Sequence, residues 1–406
     1  MTLKYPIVCL KPRRARPFFG RHPWVFSSAI DSVVAETDSL DPGTCVRLVT
    51  DEGEFVAWGL WNANSTIHVR LYSWDELSPF DEHLIRQRIT TAVDQRRIRF
   101  ELTPEAACQT GCRLVFSEGD ELSGLTVDYY AGFLLVQFTS LALYHYRDTI
   151  LQTLQETVQP RGIWLRTEKG VRDAEGLEAV DGLLSGETPP RPLFIEEHGI
   201  RYGVDVQQGQ KTGCYLDQRD NRLAAAAWLQ GRILDAYCFS GGFGITALKR
   251  GRAESVLYMD SSGPALSIAQ ANAELNEVAD RCEFVRADVK TRLPELAEQQ
   301  ALFDGVILDP PRMARTRGGL NRALKAYQRI NEAGLRVLKP GGILVTCSCS
   351  GLVGREAFLE MIAVVARETG RSIQILEQHG QPGDHPVSAT CPESEYLKMA
   401  ICRVGG

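Results

Sequence analysis

The sequence predicts an α/β protein built on a parallel sheet, preceded by a short-stranded β module and a small second α/β unit. Three observations carry this expectation. Apolar runs at 232–236, 255–259, 283–287, 303–308 and 342–347 alternate with helical patterns, as in chains that wind strand and helix in turn. Four acids, Asp235, Asp260, Asp288 and Asp309, fall at successive strand ends. Residues 43–72 hold only short apolar runs parted by turns, and Pro189, Pro190 and Pro192 mark a linker before the sheet begins.

The chain has 406 residues, enough for two or three domains. A hydrophobic share of 44% and a charged share of 24% are those of an ordinary soluble protein with a sizeable core. The net charge of −6 argues against blanket attraction to phosphate, so a nucleic-acid site must be a local patch. The 11 cysteines are scattered, and Cys108 and Cys112 form a lone pair without metal partners, so no metal is expected. The first residues do not read as a signal peptide and no apolar run is long enough for a bilayer. Reduced cysteines in a cytoplasmic protein is the expectation, with no membrane partner.

Residues 1–75 read as a small β-barrel. Its start carries Lys4, Lys11, Arg13, Arg14, Arg16 and Arg21, with no acid before Asp31. Phe18, Phe19, His22, Trp24 and Phe26 are interleaved with these cations. Phosphate contact by Arg21 and stacking by Trp24 would suit RNA, whereas a solvated basic tail over a small core would explain the same residues. Residues 76–190 read as a central α/β domain. It opens with a basic helix over 79–100 and continues through strands at 122–128, 133–139 and 162–166 and a helix over 144–158. Residues 191–406 form the third unit, beginning with a hairpin near 200–206.

In this third unit the run Phe239-Ser240-Gly241-Gly242-Phe243-Gly244 follows a strand and opens a helix. Such a turn brings backbone N–H groups close to a ligand. The glycine spacing is not that of the dinucleotide fingerprint, which disfavours an NAD dehydrogenase. Asp235 closes the first strand. Asp260 lies 19 residues beyond Gly241, where a carboxylate can accept ribose hydroxyls. Asp288 can receive an adenine amino group. Singly each acid reads as a turn or cap residue; as a series they point to a nucleoside-bearing cofactor. Lys211 and Arg219 flank a polar stretch that either forms a lid over that cofactor or starts a helix capped by Asp217.

This pattern resembles a class I S-adenosylmethionine-dependent methyltransferase. More narrowly, the chain resembles the large-subunit ribosomal RNA cytosine-C5 methyltransferase I family. The resemblance rests on the runs 21–27, 195–199 and 211–219, on Ser348-Cys349-Ser350-Gly351-Leu352, and on Asp384-His385-Pro386-Val387. It implies an N-terminal PUA module, a small central domain and a Rossmann-like catalytic domain. It also implies S-adenosylmethionine as cofactor and large-subunit ribosomal RNA as partner, with a homodimer left open.

Asp309-Pro310-Pro311 and Ser348-Cys349-Ser350 follow two apolar strands and should meet at one sheet edge. Carbon 5 of a pyrimidine is a poor nucleophile until a thiolate adds at carbon 6. Cys349 is the expected nucleophile, as in the family; Cys347 shares its strand parity, and either could be a small buried apolar residue. Asp309 can bond the ring's N3 edge, because Pro310 and Pro311 fix its backbone and offer no N–H in competition. Arg312, Arg315 and Arg317 begin a basic run that reaches Lys339 against Glu332 alone, and it suits a phosphate-gripping loop and helix. Arginine after two prolines also fits uracil-C5 enzymes, but the C-terminal residues favour cytosine. Methylation of a base nitrogen and a non-catalytic RNA-binding assembly factor are the competing readings. The sequence names no base for the carbon-5 proton.

Overall fold

In the computed structural model, residues 4–37, 39–100, 110–167, 169–207, 214–314 and 316–406 are described. The chain divides into two compact units: Met1–Pro190 with Asp384–Ser394, and Arg191–Gly383 with Glu395–Gly406.

The first unit holds two sheets. Strands β1 (Ile7–Leu10), β2 (Trp24–Phe26), β3 (Ile30–Val34), β4 (Cys45–Val49), β5 (Phe55–Trp61) and β6 (Ile67–Ser73) run in the order β2-β6-β5-β4-β1-β3. Within this sheet, among the described residues, β1 and β4 are the one parallel pair. The expected small barrel is thus a half-barrel whose edges are β2 and β3. Alternate residues such as Val46 and Leu48, with Val8, Leu10, Val56, Val69 and Leu71, fill its core. The second sheet has β7 (Gly111–Phe116), β8 (Leu125–Tyr130), β9 (Phe133–Phe138), β10 (Gly162–Leu165) and β11 (Gly182–Gly186), in the order β11-β10-β9-β8-β7. Helices Glu82–Phe100 and Arg147–Val158 cover it through Ile85, Ile89, Val93, Ile150 and Leu154.

The basic helix expected near 79–100 turns most of its arginines inward or onto neighbours. Arg96 is 2% exposed, and its guanidinium meets both Asp120 carboxylate oxygens at 2.7 Å. It also donates to the Asp384 carbonyl at 2.9 Å. The Asp384 carboxylate accepts the Arg113 N–H at 3.0 Å. The Asp384-His385 motif is therefore a structural clasp of the first unit.

The second unit opens with a hairpin, β12 (Leu193–Glu197) and β13 (Ile200–Val204). Its two-residue turn puts His198 at φ 52° and Gly199 at φ 76°, the paired positive values that suit a twisted hairpin. The main sheet then comprises β14 (Gln230–Ala236), β15 (Arg252–Asp260), β16 (Cys282–Arg286), β17 (Phe303–Leu308), β18 (Leu338–Ser348), β19 (Ile373–His379) and β20 (Lys398–Val404). Their order is β16-β15-β14-β17-β18-β20-β19. Six of these seven strands run in one direction, and β20 enters antiparallel between β18 and β19. The chain steps outward from β14 to β16, then returns to β17. The carboxyl ends of β14 and β17 therefore form the switch point at which such sheets bind ligands.

Candidate active site

The loop between β14 and helix Gly242–Arg250 is the most contorted turn near this edge. Tyr237, Phe239 and Gly241 have φ of 62°, 48° and 80°. Two of the three are not glycine, so the surroundings must hold the loop. They do so by hydrogen bonds: Tyr237 N–H donates to the Met259 carbonyl at 2.9 Å, and Phe239 N–H to Asp260 Oδ2 at 3.1 Å. Gly244 is required by close approach, because a Cβ there would lie 2.4 Å from the Tyr258 ring.

Asp235 is buried and accepts the Gly244 N–H at 2.9 Å. Burial pushes its carboxyl up to about 7, with the Asp309 and Asp260 charges adding to the effect. It anchors the loop from beneath. Asp260 closes β15 and accepts from both Phe239 and Ser262. Asp288 lies two residues beyond β16 and caps helix Val289–Glu298 by accepting the Lys290 N–H at 3.0 Å. All three of these acids thus have structural bonds as well, yet each retains oxygen lone pairs for a ligand. The Tyr237 hydroxyl is buried, has no hydrogen-bond partner among the described residues, and feels the charges of Asp288 and Asp260. An orphaned hydroxyl beside two carboxylates and a glycine turn fits the polar edge of an adenosine-bearing cofactor.

One strand over, Asp309 follows β17 and Cys349 follows β18. These strands are parallel neighbours, with Leu308 beside Thr346. Asp309 Oδ2 accepts from Gln218 Nε2 at 3.0 Å, and Asn221 donates to Gln218 Oε1 at 2.6 Å. This chain of amides orients the carboxylate. Cys349 is half-buried, with Sγ 3.9 Å from the Pro310 carbonyl oxygen. Cys347 is 0% exposed and its thiol is pushed well up by burial and by the Asp309 charge. The two serines of the motif are also buried. Ser350 Oγ accepts the Met313 and Ala314 N–H groups at 3.1 and 3.3 Å and lies 3.0 Å from the Tyr327 hydroxyl. That bond set ties the loop after Asp309 to the turn that carries Cys349.

The sheet edge thus brings together Asp235, Phe239, Ser240, Gly241, Gly242, Phe243, Asp260, Asp309 and Cys349. Arg219 is buried at the start of its helix, with Nε 3.5 Å from Asp220. Lys211 and Arg315 lie outside the described residues. Arg312 is exposed and donates to the Ala314 carbonyl at 3.0 Å. Beyond it, Arg322, Lys325 and Arg329 are exposed on helix Leu320–Arg336 and line one shallow concavity. Their spacing of three and four residues places them on one helical face. None of these three has an ion-pair partner among the described residues. Trp24 and Arg21 belong to the first unit. The Trp24 indole N–H donates to Glu118 at 2.8 Å, and Arg21 is exposed at φ 64°. Nearby, His22, Cys391 and Glu393 lie within 4.8 Å of one another; they are already joined by a His22–Glu393 contact of 3.2 Å and a bond from the thiol to that carboxylate.

The sequence analysis assigns no task to Gln218, Tyr396 or Lys398. Tyr396 donates to Asp217 Oδ2 at 2.7 Å. Only the strand order reveals that the far C-terminus returns to this edge.

Residues 117–396 match the S-adenosylmethionine-dependent methyltransferase family, and residues 8–74 match the PUA-like domain. A methyltransferase complexed with SAH has a TM-score of 0.81 at 20% identity and covers 98% of this chain and 99% of its own. A SAM-dependent methyltransferase from Streptococcus mutans has a TM-score of 0.80 at 19% identity over the same shares. Fold and sequence together define an S-adenosylmethionine-dependent methyltransferase with an N-terminal PUA-like domain. A ribosomal RNA large subunit methyltransferase I from Aeromonas hydrophila is 40% identical over 96% of this chain and 97% of its own. One from Salmonella arizonae is 37% identical over 98% of both. The chain belongs to the ribosomal RNA large subunit methyltransferase I family.

Proposed function

We propose that this chain methylates carbon 5 of a cytosine in large-subunit ribosomal RNA through a covalent bond to Cys349. The observation that carries this reading is the pairing of a half-buried thiol with an oriented carboxylate on adjacent strand ends, beside the glycine turn. The family's name supports ribosomal RNA as the substrate. The PUA-like domain agrees with it.

Cys349, as thiolate, adds to carbon 6 of the ring, and the ring's electron pair shifts to carbon 5. Asp309, held by Gln218, bonds the ring's N3 edge and supports its changing charge. S-adenosylmethionine, when bound, supplies the methyl group that carbon 5 takes. A base then removes the carbon-5 proton, the double bond re-forms, and Cys349 leaves as thiolate. Asp235, Phe239, Ser240, Gly241, Gly242, Phe243, Asp260, Asp288 and Arg219, with Lys211, are the residues assigned to the cofactor. The target base must leave its stack to enter the site. Arg312, Arg315 and Arg317, joined by Arg322, Lys325 and Arg329, grip its backbone phosphates. Trp24 and Arg21 add a contact from the first unit. These roles fall in residues 1–75 and 191–406, the proposed RNA-binding and catalytic domains, with 76–190 as the central domain between them in sequence.

The test is the 5-methylcytosine map of ribosomal RNA from cells lacking the gene, then complemented with the wild-type chain or with Cys349→Ala. One cytosine in the large-subunit RNA should lose its methyl group and regain it only with the wild type. Restoration by Cys349→Ala, or a change at a uracil or a base nitrogen instead, overturns the proposal.

A further inference from the structure

Lys398 opens β20, directly across from Ser348 in the antiparallel pairing with β18. It is 1% exposed, one of the largest fully buried side chains of the protein. Its ammonium donates to the Ser350 carbonyl at 2.7 Å and to the Tyr396 carbonyl at 3.0 Å. No carboxylate lies within ion-pair distance of it among the described residues. A buried ammonium held only by neutral carbonyls is costly, and a methionine would fill the same space without that cost.

We infer that Lys398 is a positioning residue. It pins the turn that carries Cys349 and supplies the positive charge that favours the thiolate of that residue. The inference rests on the reading of Cys349 as nucleophile.

The surrounding charges agree. Glu395 is the strongest of the charges that Lys398 feels and favours the ammonium; it is paired with Arg355 at 2.6 Å, which offsets it only in part. Cys349 comes next after Glu395, and its negative form would favour the ammonium as the ammonium favours it. Burial brings Lys398 down to about 8, so it is mostly charged at neutral pH and loses its charge above that. Tyr215, Tyr327 and Cys347 also face Cys349 and are uncharged at neutral pH, each pushed up by burial. Asp309 on the neighbouring strand end opposes the thiolate, so a nearby cation is needed to offset it. The thiol proton passes to solvent before substrate arrives; Lys398 keeps its own and transfers none.

The test is the rate of iodoacetamide alkylation at Cys349 against pH, read by mass spectrometry of the peptide that carries it. No RNA or methyl donor is present, so the result is independent of the methylation target. In the wild type the midpoint should lie below about 8.5, the ordinary cysteine value. Lys398→Gln keeps a donor for the Ser350 carbonyl but removes the charge. It should raise the midpoint by about one unit and slow alkylation at pH 7 roughly 10-fold. Lys398→Arg should keep the wild-type midpoint. An unshifted midpoint in folded Lys398→Gln, or a wild-type midpoint at or above the ordinary value, overturns the inference. A normal alkylation profile with no methylation of cytosine sinks the proposed reaction alone.

Discussion

Replacing Arg322, Lys325 and Arg329 together by glutamine should weaken RNA binding in a salt-dependent way. All three are exposed and unpaired among the described residues, on one face of the helix that follows the Asp309 loop. If each neutralises one phosphate of a single strand, each adds about 0.7 to the slope of log affinity against log salt. Losing three lowers the slope by about 2, which at 0.15 M salt is a roughly 50-fold loss of affinity that fades towards 1 M. The assay is fluorescence anisotropy with a cytosine-containing ribosomal RNA stem-loop over 0.05–0.4 M potassium chloride, at roughly constant pH. Stability should change by less than about 0.5 kcal/mol, because no buried contact is touched. An unchanged slope would show that the phosphate grip lies elsewhere.

Three further outcomes concern two buried polar sites and the close-packed glycine turn. Asp235 titrates at about 7 when folded, above its ordinary value, so the native state holds a proton that the unfolded state releases. Its contribution is fully present at low pH and is lost as pH rises through 7. Asp235→Asn should therefore gain stability relative to wild type between pH 4 and 7, by up to about 4 kcal/mol, in urea melts; a flat difference refutes the assignment. Arg222 and Glu197 form an ion pair with both partners nearly out of solvent. Arg222→Met strands the carboxylate and should cost about 3–5 kcal/mol in the same melts, much of it recovered when Glu197→Gln is added. In Gly244→Ala the new methyl meets a tyrosine ring stacked 5.0 Å from Phe284. It should cost about 1–3 kcal/mol and weaken SAH binding measured by calorimetry; unchanged binding would place the cofactor away from this turn.

Much of the catalytic unit can be read from the chain because its strands are continuous apolar runs between glycine and acidic punctuation. The strand at 303–308 and the ends at Asp260 and Asp309 follow from hydrophobicity alone, since a parallel strand is buried on both faces. Where contacts depend on distant pairing, the sequence is silent. Lys398 reaches the Cys349 turn because β20 is inserted beside β18 with residue 398 opposite 348, a register that no local spacing encodes. Arg96 reads as one more cation on a basic helix until the fold buries it against Asp120. Asp288 reads as a ligand acid, and its position also makes it the cap of the next helix. The Asp384-His385 run reads as part of the catalytic unit by its place in the chain, yet it packs in the first unit through Arg113 and Phe116.

The central claim is that the Cys349 sulfur bonds to carbon 6 of a cytosine. Ribosomal RNA carrying 5-fluorocytosine at the target has no removable proton at carbon 5, so the covalent intermediate cannot resolve. Incubated with S-adenosylmethionine and the wild-type protein, it should give a protein–RNA adduct that survives denaturation. Mass spectrometry should place the nucleotide on the peptide containing Cys349. No adduct from a preparation that methylates the natural RNA, or an adduct on another cysteine, contradicts the account.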